Sequence, residues 1–313
     1  MSKSLSRAAQ KMRAAIRRGD LWAQLRLWRD KYVPLFRIVN PKIRSAQLQD
    51  QAYRMLVKKY QPMVDAAPPA DPNAPAKAQA VPKIIWWCWL QGVENAPEIV
   101  QTCLESVRRH LSDYDLRIIT LENYAQYVEI PDYIVEKYLR GSMSANHFAN
   151  VLRLELLVRY GGLWLDATVL CTGREMMDVL NESDLFVYYI FDDLNLAFAS
   201  NWFISAKPDN DILRLTLELH HAYWREHRLA PHYFFFHTFF KMAALHYPEQ
   251  WRALRRYVKG PTGVLLREMD APYSQARYAE ICKMTPFHKL NWKFKIEGKP
   301  GSMYDVVIRQ RKY

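Results

Sequence analysis

Cysteine is scarce in this chain of 313 residues, and the four that occur (Cys88, Cys103, Cys171, Cys282) lie far apart with no Cys-x-x-Cys pair. That spacing excludes a cysteine-rich zinc site and a disulfide framework. Long apolar runs are missing too. The longest, such as Ile84 to Leu90, fall far short of the ~20 residues needed to cross a bilayer. The first residues are basic but lack the apolar stretch of about 7 to 15 residues that marks a secretory signal, so a cytoplasmic chain is expected. Disorder is excluded by composition, with 50% apolar and 24% charged residues.

Negative charge is nearly absent from the first sixty residues, which carry 15 Lys/Arg against 3 Asp/Glu. Residues 61 to 313 carry 29 of each. The whole net charge of +12 therefore sits at the N-terminal end. The larger part has no basic excess to lay along a phosphate backbone, which argues against nucleic acid as a partner.

Punctuation divides the chain into a basic helical arm (1–65), a linker (66–80) and an α/β domain (81–313). In the arm, Leu5, Ala8, Ala9, Met12, Ala15 and Ile16 recur at helical spacing. A second pattern, Leu21, Trp22, Leu25, Trp28 and Tyr32, ends at Pro34, and a third covers Leu48, Ala52, Tyr53, Leu56 and Tyr60. Apolar faces backed by Lys/Arg suit an anionic membrane surface, here the inner face of the cell membrane. They equally suit helices that pack on their own domain or on a second subunit. The linker Ala66–Ala80 holds four prolines and no large apolar residue, so it cannot contribute a core.

From Val81 onward short apolar strands alternate with helical stretches, the pattern of parallel βαβ units. A buried strand is expected over 83–90, a helix over 97–111, a strand over 116–121, and helices over 132–138 and 146–160. Gly161-Gly162 stops the last helix, and Leu163-Trp164-Leu165 continues as a strand that delivers Asp166 at its end. Ligands bind beyond the carboxyl ends of strands in open α/β sheets, which places Asp166 where chemistry occurs. A later strand over 185–191 leads to Asp192 and Asp193 in a loop.

Two segments carry a family resemblance: Asn146-His147-Phe148-Ala149-Asn150-Val151-Leu152-Arg153, and Arg159-Tyr160-Gly161-Gly162-Leu163-Trp164-Leu165-Asp166-Ala167-Thr168-Val169-Leu170. They resemble the capsular polysaccharide synthesis proteins and, through them, the DXD-type glycosyltransferases that include the yeast mannosyltransferases and the clostridial glucosylating toxins. The similarity extends to Val81–Gly92 upstream and to Asn201-Trp202-Phe203, Tyr223-Trp224, Phe236-His237 and His288-Lys289-Leu290 downstream, most of residues 81–291.

The resemblance implies a GT-A, Rossmann-like α/β fold, a nucleotide-sugar donor and a divalent cation, Mn²⁺ or Mg²⁺. The acceptor it implies is a cell-surface polysaccharide or a lipid-linked oligosaccharide. Asp166 becomes the metal ligand, with Thr168 where the family has a second carboxylate and His288 completing the set. Arg153 and Asn150 meet the donor sugar and its phosphates, Asn150 standing where the family has Asp. Trp89 stacks on the base, while Trp86 and Trp87 read as core. Lys289 meets the diphosphate, and Asn201 and His237 are substrate contacts by family position, though His237 among aromatic residues also reads as a core histidine. Asp166, Asp192 and Asp193 are the catalytic candidates: Asp192 or Asp193 would orient the acceptor or stabilise an oxocarbenium-like transition state with retention, or else form a solvated acidic turn. The replacements at Asn150 and Thr168 motivate one alternative, a membrane-associated polysaccharide assembly factor that keeps the fold without turnover.

Overall fold

The computed structural model describes residues 41–70, 80–189 and 199–313. Six strands form the central sheet. In chain order they are β1 (Ile84–Cys88), β2 (Asp115–Ile119), β3 (Gly162–Asp166), β5 (Leu185–Tyr189), β6 (Ala199–Ala206) and β7 (Tyr257–Val258). Their order across the sheet is β2-β1-β3-β6-β5-β7. A separate antiparallel pair joins β4 (Val169–Cys171) to β8 (Phe287–Lys289).

Period-2 alternation sends neighbouring side chains of a strand into different cores. On β1, Trp86 enters one core while Ile85 and Trp87 enter the other; on β3, Trp164 joins Trp86, while Leu163 and Leu165 take the opposite side. The first core is covered by α1 (Pro41–Asp65), α4 (Ala145–Tyr160), α5 (Asp211–Glu226) and α6 (Phe235–His246); the second by α2 (Glu98–His110) and the C-terminal segments. This α/β sheet sandwiched by helices is the architecture that the resemblance implies. Trp86 and Trp87 are fully buried, as a core role requires.

The elements up to Asp166 fall where the residue pattern places them, with α3 (Asp132–Leu139) preceding α4. The second half departs from the purely parallel expectation. β1 pairs in parallel with β2 and β3, but β6 runs antiparallel to both β3 and β5. Residues 190–198 leave no room for the dozen-residue crossover that a parallel neighbour needs, so β6 returns in the opposite sense.

The third amphipathic pattern of the arm packs on the α/β body. Leu56, Tyr60 and Val64 of α1 are buried in the first core, and Tyr60 meets Phe239 of α6 edge-on at 5.4 Å. The Tyr247 hydroxyl donates to the Pro68 carbonyl at 2.9 Å and pins the chain just past α1. The first two patterns of the arm lie outside the described residues. Among those described, no helix is long and apolar enough to cross a membrane.

Candidate active site

The strand that carries Asp166 starts at a turn only glycine tolerates. Gly161 and Gly162 have φ of +66° and +96°; a Cβ on Gly162 would stand 2.7 Å from the Ile84 carbonyl, and one on Gly161 2.7 Å from the Pro208 nitrogen. Trp86 locks the turn by donating its indole N–H to the Gly161 carbonyl at 2.8 Å. β3 is thereby held against β1 in a fixed register, with Asp166 opposite Cys88 at the carboxyl ends of both.

There a cavity of about 370 Å³ opens, lined by β1, β3, α4, β6, α6 and the segment after β8. Asp166 is its sole carboxylate lining residue among the described residues. Trp164 Nε1 donates to Asp166 Oδ1 at 3.0 Å, Arg153 Nη2 approaches the same oxygen at 3.4 Å, and Lys289 Nζ donates to Oδ2 at 2.8 Å. Burial pushes the Asp166 carboxyl up, but the charges of Lys289 and Arg153 and the bonds from Lys289 and Trp164 outweigh it and bring its pKa down to about 2. Asp166 is therefore ionised at any physiological pH.

Arg153 sits on the pocket side of α4, a helix capped by the Ser144 hydroxyl at its start and by Gly161 at its end. Its guanidinium lies 4.8 Å from the Trp164 ring and donates to the Ala149 carbonyl at 3.3 Å and to the Asn201 carbonyl on β6. Asn201 returns a bond from its side chain to Asn150 Oδ1 at 3.2 Å. Arg153, Asn150, Asn201 and Asp166 thus form one connected network between α4, β3 and β6.

The cavity brings together Trp89, Asn150, Arg153, Asp166, Thr168, Asn201, His237 and Lys289, eight of the residues singled out in the sequence. His288 lies elsewhere. It is fully buried on the other side of β8 from Lys289, with Nε2 paired to the Thr172 hydroxyl at 3.1 Å. Asp192 and Asp193 lie outside the described residues. His237 is nearly buried and neutral, burial and then Lys259 and Arg153 lowering its pKa to about 3. The Cys88 thiol beside the site is pushed up to about 12, which removes it as a nucleophile.

Lys259, Trp292 and Tyr233 also line the cavity. Trp292 meets Trp89 edge-on at 5.6 Å and is 44% exposed, so the two indoles form an aromatic corner at the rim. Tyr233 is exposed and accepts a hydrogen bond at 2.7 Å from Asn146, which also lines the cavity. No sequence signal near Lys259 announces it; its backbone N–H bonds to the Tyr189 carbonyl where the sheet's last strand ends, and only that pairing turns it to the site. With Lys293, the lining holds four cations, Arg153, Lys259, Lys289 and Lys293, against one carboxylate. Such a pocket attracts an anion.

A resident divalent cation does not fit these residues. A hard cation in a phosphate-transfer site needs one or two carboxylates from the protein, waters and substrate phosphates filling its other positions. Asp166 already gives each oxygen to a cation, Thr168 Oγ1 accepts from Lys289 Nζ at 2.7 Å, and His288 faces away. Among the described residues no three His, Cys, Asp or Glu side chains cluster as metal ligands.

A family model described as capsular polysaccharide synthesis protein matches residues 34–307, spanning every element of this site. The chain belongs to that family. Its match begins before α1, so the helix that packs on the body falls within the family's own extent. This family member is 25% identical over 159 residues to the O-glycosyltransferase braB of Annulohypoxylon truncatum, covering 45% of this chain and 38% of that one. It is 23% identical over 156 residues to the glycosyltransferase afumC of Aspergillus fumigatus, covering 45% and 40%. The chain thus spans about two fifths of the length of the curated relatives it matches. Among solved structures, the PaToxG glycosyltransferase aligns with a TM-score of 0.38 at 15% identity, over 66% of this chain and 80% of that one.

Proposed function

We propose that the chain is a retaining glycosyltransferase that moves a sugar, a hexose in our reading, from a nucleoside-diphosphate sugar to a cell-surface polysaccharide or lipid-linked oligosaccharide. The observation that carries the reading is one strand-end carboxylate set among four cations beside a pair of indoles, in a cavity large enough for a nucleotide sugar's reacting end. Trp89 and Trp292 offer π faces to the base. Lys259 and Lys289 face the diphosphate, and the Asn150–Asn201 pair supplies amide donors and acceptors for sugar hydroxyls.

In the transfer, the bond between the anomeric carbon and the phosphate oxygen breaks and its electron pair stays on that oxygen, where the cations neutralise it. The acceptor hydroxyl oxygen bonds to the anomeric carbon from the same face, and its proton passes to the leaving phosphate oxygen. A carboxylate with a pKa of about 2 is a poor general base near neutral pH. Asp166 instead holds Arg153 and Lys289 in place through its two oxygens. Asp192 and Asp193 remain our candidates for orienting the acceptor. We place the protein in the cytoplasm, with the basic arm docking it on the anionic inner leaflet.

The test is incubation with a set of nucleotide sugars and a glycan acceptor, following nucleoside diphosphate release and the anomeric configuration of the product by NMR. Release coupled to glycan growth with retained configuration supports the reading. Donor binding with no release, for every donor and acceptor, replaces it with the assembly-factor alternative.

A further inference from the structure

Lys289 and Asp166 stand 123 residues apart in the chain, yet the pairing of β8 with β4 sets Lys289 against Val169 and delivers its ammonium to the strand-end carboxylate. The ammonium makes two bonds there, 2.8 Å to Asp166 Oδ2 and 2.7 Å to Thr168 Oγ1. Those are the two side chains that a divalent cation at this strand end would have to use. An ammonium carries three N–H donors, so one remains to point into the cavity. Lys259 lines the same cavity and adds a second positive charge. The replacement of a second carboxylate by Thr168 has its reason in this arrangement. A hydroxyl accepts from an ammonium without a second negative charge that would recruit a metal.

We propose that Lys289 is a built-in cation that takes the place of a divalent metal at this site, so that donor binding and transfer proceed without one. The inference rests on the transferase reading. Asp166 and Thr168 fix two of the three N–H directions and aim the third at the leaving diphosphate. When the anomeric bond breaks, its electron pair stays on the phosphate oxygen, that N–H strengthens its bond to it, and the acceptor's proton completes the neutralisation. The ammonium itself gives up no proton. Arg153 balances the other oxygen of Asp166 and leaves Lys289 free to face the substrate.

The test is calorimetric titration of the full chain with UDP, GDP, ADP and thymidine diphosphate, in excess EDTA and again with Mn²⁺ in place of EDTA. The expected result is binding of at least one nucleotide with affinities that agree within about twofold between the two conditions. Lys289→Met should weaken that binding roughly 10-fold to 100-fold in EDTA, the loss of one charge-assisted bond. Lys289→Ala, which vacates the place beside Asp166 and Thr168, should recover part of its lost affinity when Mn²⁺ is added. Wild-type binding that needs Mn²⁺ overturns the inference and leaves the transferase reading intact, and this comparison requires no variant to fold. Unchanged binding by Lys289→Met, with a normal unfolding temperature, overturns it as well. Failure of all four nucleotides in both conditions removes the nucleoside-diphosphate-sugar reading itself, and the inference with it.

Discussion

Asp166→Asn keeps the side chain's shape and removes the charge that Arg153 and Lys289 share. The two cations then repel each other and lose their common anchor, so turnover should fall roughly 10²- to 10³-fold, the scale of losing one preorganised electrostatic contact, while the far-UV spectrum stays unchanged. A folded variant with turnover near wild type removes Asp166 from the mechanism. Arg153→Lys preserves charge but replaces a planar fork with a point donor. The Ala149 and Asn201 carbonyls and Asp166 are served by three separate nitrogens, Nε, Nη1 and Nη2, whose positions a single ammonium nitrogen cannot reproduce, so donor KM should rise by about tenfold, at about 1.4 kcal/mol per factor of ten. Asn150→Asp still accepts from Asn201 and restores a negative charge at the sugar end, which should change the order of preference among donor sugars with the fold kept. Steady-state kinetics over a donor panel read both variants; unchanged donor parameters in both would show that this face of α4 does not line the sugar pocket.

At the scale of elements, the Gly161-Gly162 turn is what converts α4 into a correctly placed β3. Gly162→Ala puts a Cβ against the Ile84 carbonyl and a side chain at φ +96°. The left-handed backbone alone costs about 1–2 kcal/mol, so the unfolding temperature should drop by several degrees. An unchanged midpoint would mean the turn relaxes freely. This turn was legible in the sequence, because a glycine pair after a helical period and before an apolar triplet has few other uses. β1 through β3 were legible for the same reason: their apolar runs are bounded by strong punctuation. The Lys289–Asp166 pair was not. The family resemblance implied site roles for both His288 and Lys289, but a strand sends neighbours to opposite faces, and only the register of β8 on β4 decides that Lys289 faces Asp166 while His288 is buried. The antiparallel run of β6 was hidden too, since Ala199–Ala206 reads equally well in either direction.

For the whole molecule, mild acid should be destabilising. His147, His220, His237 and His288 are buried, and burial lowers the pKa of each, to about 4 for His147 and His288, to about 3 for His237, and well below 6.5 for His220. A lowered basic pKa means that the unfolded chain binds the proton first, so stability is fully present above pH ~6.5 and falls as pH drops toward the folded values. Each histidine costs about 1.4 kcal/mol per pH unit in that window. Urea midpoints measured from pH 7 to pH 5 should decline steeply, and a flat profile would mean that these imidazoles reach water or charged partners. The helix that starts at Pro41 packs on the body, and the membrane reading therefore concerns the residues before it. A chain starting at Pro41 keeps α1 and should match the full chain in unfolding temperature; a chain starting at Val81 strips α1 from the first core and should be destabilised. Even Leu56→Ala alone should cost about 2–5 kcal/mol. If the residues before Pro41 dock on membranes, only the full chain should bind anionic vesicles, and added salt should weaken that binding. Equal vesicle binding by the full chain and the Pro41 chain would sink the membrane role.

The seat of α1 also sets an order of events at the ribosome. Tyr60 closes on Phe239, and Pro68 is held by Tyr247 across 179 residues. Translation at about 5–20 residues per second leaves some 10 to 40 s between the emergence of α1 and that of its partner helix. Until α5 and then α6 arrive, Leu56, Tyr60 and Val64 lack the surfaces that cover them in the fold, so the newborn chain offers an apolar stripe after a strongly basic stretch as a target for chaperones.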